Sequence, residues 1–118
     1  MTDTPRWDLP LLMAGQAQKE ISHNEALLAI DRLLHLVVHD RTSCAPPVGA
    51  RAGDAVIIGT EPTGTWAGSA GMLASFDGIG WTLVTPRAGC LAWIRNEAIL
   101  VVFHADAWRT LAALPQAA

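Results

Sequence analysis

The sequence has 118 residues, with 8 Lys and Arg against 11 Asp and Glu, a net charge of −3 and a hydrophobic fraction of 51%. That is the size of one domain, and the absence of any Lys or Arg between Ala52 and Pro86 leaves no basic stripe for nucleic acid. Apolar runs such as Ala98-Ile-Leu-Val-Val-Phe103 fall far short of the about 20 residues that cross a bilayer. Charged residues make up 16%, against roughly 25% in an average soluble protein, so part of the exterior is expected to be covered by something other than water.

The opening Met1-Thr-Asp-Thr-Pro-Arg-Trp-Asp8 is acidic and polar with no apolar segment behind it, unlike a signal peptide. The protein is therefore expected to stay in the cytoplasm or to leave inside something larger. Residues 1–14 contain Pro5 and Pro10 and no clear period, which predicts an extended arm. Its Trp7, Leu9, Leu11 and Leu12 need an apolar partner, either on the same domain or on a neighbour. The stretch Gly15-Gln-Ala-Gln-Lys-Glu20 suits a short preceding turn. Ser22-His-Asn-Glu25 has the form of a capping box, which places a helix start near His23. From there Ala26, Leu27, Ile30, Leu33 and Leu34 follow a helical stripe expected to be buried, with Glu25, Asp31 and Arg32 outside it.

The segment Leu34-His-Leu-Val-Val-His-Asp40 fits both helix and strand periods, and a strand from about Leu36 is favoured. Cys44-Ala-Pro-Pro47 ends any regular element. Nine of the ten glycines and six of the seven aromatics lie beyond this point. Short apolar runs follow at 55–58, 72–76, 81–85, 90–95, 99–103 and 108–111, separated by turn signals such as Asp77-Gly78 and Pro86-Arg-Ala-Gly89. Runs of this length and spacing describe an antiparallel meander. Two of its hairpins repeat a pattern: Phe76 and Trp81, and Phe103 and Trp108, flank a four-residue turn carrying an Asp. Each pair is expected to meet across the strands. The fold class is thus α+β: an extended N-terminal arm, one amphipathic helix, and an antiparallel β-meander of about six short strands. The domain layout is an arm over 1–14, a single α+β domain over 15–114 and a short tail over 115–118.

No pattern carries catalytic chemistry. Gly59-Thr-Glu-Pro-Thr-Gly64-Thr65 has the glycine spacing of a phosphate loop, but Thr65 stands where Lys is required. Ala67-Gly-Ser69-Ala-Gly71 lacks the glycine spacing of a nucleophile elbow. His35 and His39 share a face and adjoin Asp40, yet no third ligand accompanies them, so no metal and no cofactor is expected. His23 and His104 have local roles in a cap and a turn. Cys44 and Cys90, without a C-x-x-C spacing, are expected to be small buried hydrophobes. Trp66, in the Gly-rich Thr63-Gly-Thr-Trp-Ala-Gly68 loop, is the candidate platform for a sugar or a partner. The competing expectation is that it folds back over the sheet or meets another subunit.

The run from Leu9 to Leu27, with Gly15-Gln-Ala-Gln-Lys19 and His23-Asn-Glu25 at its centre, resembles the alphaproteobacterial domain of unknown function DUF2793. Ala45-Pro-Pro47, Gly53-Asp54, Thr63-Gly-Thr-Trp-Ala-Gly68, Trp81 followed by Thr85-Pro86-Arg87, and Gly89-Cys-Leu-Ala-Trp93 agree with it in order and spacing. The resemblance runs from about Thr4 to Leu111. Cys90-Leu departs from it, since a large residue tends to follow that glycine in the family. The resemblance implies a setting in tailed phages and gene transfer agents, where such domains are linked to head spikes or fibres that adsorb to capsular polysaccharide. A chain ending shortly after Leu111 implies that any fibre is a separate polypeptide.

These readings together lead to an expectation of a non-enzymatic virion structural protein, the base or anchor of a head spike or fibre, bridging capsid and fibre. It is expected to assemble in the bacterial cytoplasm into a homo-oligomeric ring, with capsid protein, fibre protein and capsular polysaccharide as further partners and neither nucleic acid nor membrane among them. Trp7, Leu9, Leu11 and Leu12 are the candidate contacts to other copies or to the capsid. A second expectation is a carbohydrate-binding module that stacks Trp66, with Trp93 or Trp108, on capsule sugars. An enzyme acting on the polysaccharide would need paired carboxylates from Asp54, Glu61, Asp77 and Asp106.

Overall fold

The computed structural model describes residues 2–13 and 19–115. Among the described residues lie one α-helix, α1 (Lys19–Leu33), and seven strands: β1 (Val37–Val38), β2 (Ala55–Ile57), β3 (Leu73–Phe76), β4 (Trp81–Val84), β5 (Leu91–Ile94), β6 (Ile99–His104) and β7 (Ala107–Ala113). The fold is α+β, as the residue patterns predict. The six expected strands form, and the seventh is the short β1 at the ambiguous segment. Residues 1–34 and 35–118 make two compact units.

In the first unit the arm is extended on either side of a turn at residues 5–7 and closes on itself through an Asp3–Pro10 bridge. The helix is already formed at Lys19, so Ser22 and Glu25 lie within it and do not cap its start. Lys19 and Glu20 are good helix formers, and their propensity carries the helix past the Ser. The turn expected over Gly15–Glu20 falls largely outside the described residues. The buried side of α1 also differs from expectation. Asp31 is its buried residue, Leu27 and Leu28 are half-buried, and Ala26, Ile30, Leu33 and Leu34 are exposed. A periodic apolar stripe predicts which residues share a face, but a buried carboxylate is tolerated wherever donors satisfy it, and here the arm supplies them. At the end of α1, His35 adopts φ 47°, the left-handed geometry that stops a helix. That residue settles the helix-or-strand ambiguity of the segment.

The second unit holds two sheets. The expected single meander is split: β2-β3-β4 form a three-stranded antiparallel sheet, and β1-β5-β6-β7 a four-stranded one in which β1 runs parallel to β5. The break falls at Pro86, which lacks the N–H needed to continue β4 and is itself buried. Every residue of β2 is buried. With period-2 alternation, Ala55 and Ile57 join Val38, Leu73, Ala92, Ile94 and Val101 in one core, while Val56 and Ile58 join Trp66 and Ala74 in a second. The three-stranded sheet is therefore covered on both faces, by the other sheet on one side and by Trp66 on the other. Both repeated hairpins place their aromatics as expected, Phe76 opposite Trp81 with ring centroids 5.1 Å apart and Phe103 opposite Trp108 at 5.2 Å. The Trp108 indole N–H also donates to the Gly71 carbonyl at 2.9 Å, tying β7 to the loop that precedes β3.

Candidate functional site

The arm docks on α1 through polar groups more than through its apolar ones. Asp31 Oδ1 accepts the Thr4 hydroxyl at 2.7 Å and the Trp7 amide at 2.8 Å, and its Oδ2 accepts the Arg6 amide at 2.9 Å. A helix leaves its last carbonyls without intrahelical donors. Here Arg6 Nη1 donates to the Asp31 carbonyl at 2.6 Å and the Leu34 carbonyl at 2.8 Å, while the Trp7 indole N–H donates to Leu34 O at 2.9 Å. A cation at the negative end of the helix dipole adds to the same effect. One turn from the other end, Asn24 exchanges two hydrogen bonds with the backbone of Leu12, at 2.8 and 3.0 Å.

Of the four arm residues expected to make outside contacts, Trp7 is 45% exposed with the Arg6 guanidinium 5.6 Å from its ring centroid, whereas Leu9, Leu11 and Leu12 are half-buried. Trp66 corrects the platform expectation and meets the competing one, that it folds back over the sheet. It is 2% exposed and meets Trp81 edge-on at 5.4 Å, so it has no free face for a sugar or a partner. Its Gly-rich loop bends it inward: Gly64 at φ 60° opens a 3-10 turn over Gly64–Trp66, and Gly68 at φ 82° follows it.

A shallow cleft of about 180 Å³ lies in the second unit, lined by His39, Asp40, Asp54, Val56, Trp81 and the loop from Pro47 to Ala50. His39 Nε2 stands 3.1 Å from Asp54 Oδ1, and Arg95 Nη1 lies 3.5 Å from the other ring nitrogen. Burial works against the Asp54 carboxylate, but the Arg51 amide, His39 and Arg95 outweigh it and hold its carboxyl below the ordinary 3.8. Asp40 accepts the amides of Thr42 and Ser43 and the Ser43 hydroxyl. A His–Asp contact is one half of a nucleophile-activating arrangement, yet the lining contains no hydroxyl, thiol or amine side chain for the imidazole to activate. The cluster works as a fastener, joining the end of β1 to the start of β2 and to β5.

Other candidate groups are placed separately. Asp77 Oδ1 accepts the amides of Ile79 and Gly80 in its own turn, and Asp106 sits in the β6–β7 turn. Cys44 and Cys90 are free and half-buried, and burial raises the Cys90 thiol. Among the described residues, no three His, Cys, Asp or Glu side chains stand close enough to share a metal ion. No helix among them is long and apolar enough to cross a membrane. Sequence reasoning missed Asp31, Asn24 and the His39–Asp54 pair. Asp31 and Thr4 are 27 residues apart, and no local pattern announces such a contact.

The sequence model of the family described as "Protein of unknown function (DUF2793)" matches residues 23–109. The chain belongs to the DUF2793 family. Neither the curated proteins nor the solved structures provide a match. The DUF2793 match spans most of α1 and continues into β7, so it takes in both cores and the His39–Asp54 pair. It begins after the arm and after Gly15-Gln-Ala-Gln-Lys19.

Proposed function

We propose that this DUF2793 protein is a non-enzymatic structural component of a phage-like particle, the base or anchor of a head spike or fibre that joins capsid to fibre and so supports adsorption to a capsule. The observation that carries this reading is the set of large apolar side chains exposed on the arm and on α1. Trp7, Met13, Ile21, Ile30, Leu33 and Leu34 are all exposed in a chain with 16% charged residues. Of these, Ile30 and Leu33 share one side of α1, and exposed apolar side chains grouped on one face mark surfaces that other proteins cover. The resemblance to domains of phages and gene transfer agents supplies the setting. The partners on this reading are other copies of the chain, a capsid protein and a fibre protein.

Electron microscopy of particles made with and without the protein tests the reading. Loss of one class of appendage from otherwise intact heads is expected. Particles that keep every appendage, together with an absence of the protein from purified wild-type particles, would overturn it.

A further inference from the structure

The arm occupies one side of α1 and leaves the other open. Asn24 and Asp31, two turns apart, are both held by the arm. On the opposite side Ser22, Ala26, Ala29, Ile30 and Leu33 recur at the three- and four-residue spacing of a helical face. All five are exposed and none is charged. The solvent side of a helix normally carries charge. Glu25 and Arg32, also two turns apart, flank this face on one shoulder, and neither has an ion-pair partner among the described residues.

We propose that α1 is a dimerisation element that pairs antiparallel with the α1 of a second copy, about a two-fold axis passing close to Ala29 and Ile30. The seam is self-complementary in size. In that register Ala26 faces Leu33 of the second copy and Ala29 faces Ile30, so a small residue receives a large one at each level. It is also self-complementary in charge. An antiparallel pair brings Glu25 toward the second copy's Arg32, twice by symmetry, whereas a parallel pair sets this charged shoulder against the opposite one, which carries Ile30 and Leu34 and offers no opposite charge. A helix of 15 residues is roughly 22 Å long. One such contact is small beside the about 800 Å² per partner of a standard interface, so the pair is weak and concentration-dependent.

The proposal deepens the reading that copies of the chain associate, and it is tested on the purified full chain, so its failure is distinct from the outcome of the particle experiment. In sedimentation equilibrium up to about 100 μM, the mean mass is expected to rise toward that of two chains. Ala29→Arg, at an exposed position away from the Asp31 contacts, is expected to weaken association at least ~10-fold with the far-UV circular dichroism unchanged. Glu25→Arg alone is expected to weaken it, and Glu25→Arg with Arg32→Glu to restore it. A wild-type chain that stays monomeric, an Ala29→Arg variant that associates as well as wild type, or a charge exchange that fails to recover association overturns the proposal.

Discussion

The Thr4 hydroxyl donates a 2.7 Å hydrogen bond to Asp31 Oδ1, and both residues are buried. Thr4 Oγ1 in turn accepts the Leu9 amide at 2.9 Å, so one hydroxyl links the two limbs of the arm to the helix. Removing the carboxylate strands three donors at once. Asp31→Ala is therefore expected to cost about 2 kcal/mol of local stability, because each buried donor left unpaired is worth about 1–3 kcal/mol and water recovers part of the loss. Hydrogen exchange checks it: the Arg6, Trp7 and Leu9 amides should exchange faster in the variant, while the amides of β5 and β6 should keep their protection.

Trp66 lies against Val56, Ile58 and Ala74 with Trp81 edge-on. Truncation to Ala empties the cover of the three-stranded sheet, and Trp→Ala in a core costs about 3–5 kcal/mol. In a domain this small, that corresponds to a fall in Tm of more than about 10 °C. A platform residue would give the opposite result, since its loss would leave Tm unchanged. Differential scanning calorimetry of Trp66→Ala decides between them.

Asp54, held by the Arg51 amide and by His39 and Arg95, makes stability depend on pH in a definite direction. The Asp54 carboxyl is held below its ordinary 3.8, so the folded state favours the ionised form. The stabilisation is present above the unfolded value and is lost as pH falls through the lower folded value. Asp54→Asn is therefore expected to be less stable than wild type at about pH 7, and the gap should narrow toward about pH 3. Urea denaturation of both proteins at several pH values measures it; a gap that stays constant with pH would show that Asp54 acts without its charge.

The β6–β7 turn holds Ala105 at φ 50° and Asp106 at φ 62°, both in the left-handed region. A two-residue hairpin loop needs this geometry to match the twist of its strands, and Asn adopts it far more readily than Ala. Ala105→Asn is expected to stabilise the protein by about 0.5 kcal/mol, read as a higher urea midpoint with an unchanged slope.

The strands from β2 onward were legible in the sequence because each is a short apolar run closed by a local turn signal, and the Phe76–Trp81 and Phe103–Trp108 pairings follow from a turn of fixed length. For Trp66 the sequence left two directions open, a platform or a fold back over the sheet, since a Gly-rich loop permits either, and the open face of the three-stranded sheet selects the second. The His39–Asp54 pair was hidden for a related reason: it joins the end of β1 to the start of β2, and nothing in a run of residues marks which strands will lie side by side.

By itself the amino-acid order determined the elements: the arm broken by prolines, one helix, short strands and the hairpins that staple them, all set by interactions within about ten residues. Tertiary structure alone decided the pairings across longer distances. It placed β1 parallel to β5, divided the meander at Pro86 and turned Asp31 of α1 inward toward Thr4. A parallel pair, a sheet boundary and a buried carboxylate all draw their free energy from partners far along the chain, and local periodicity carries no record of them.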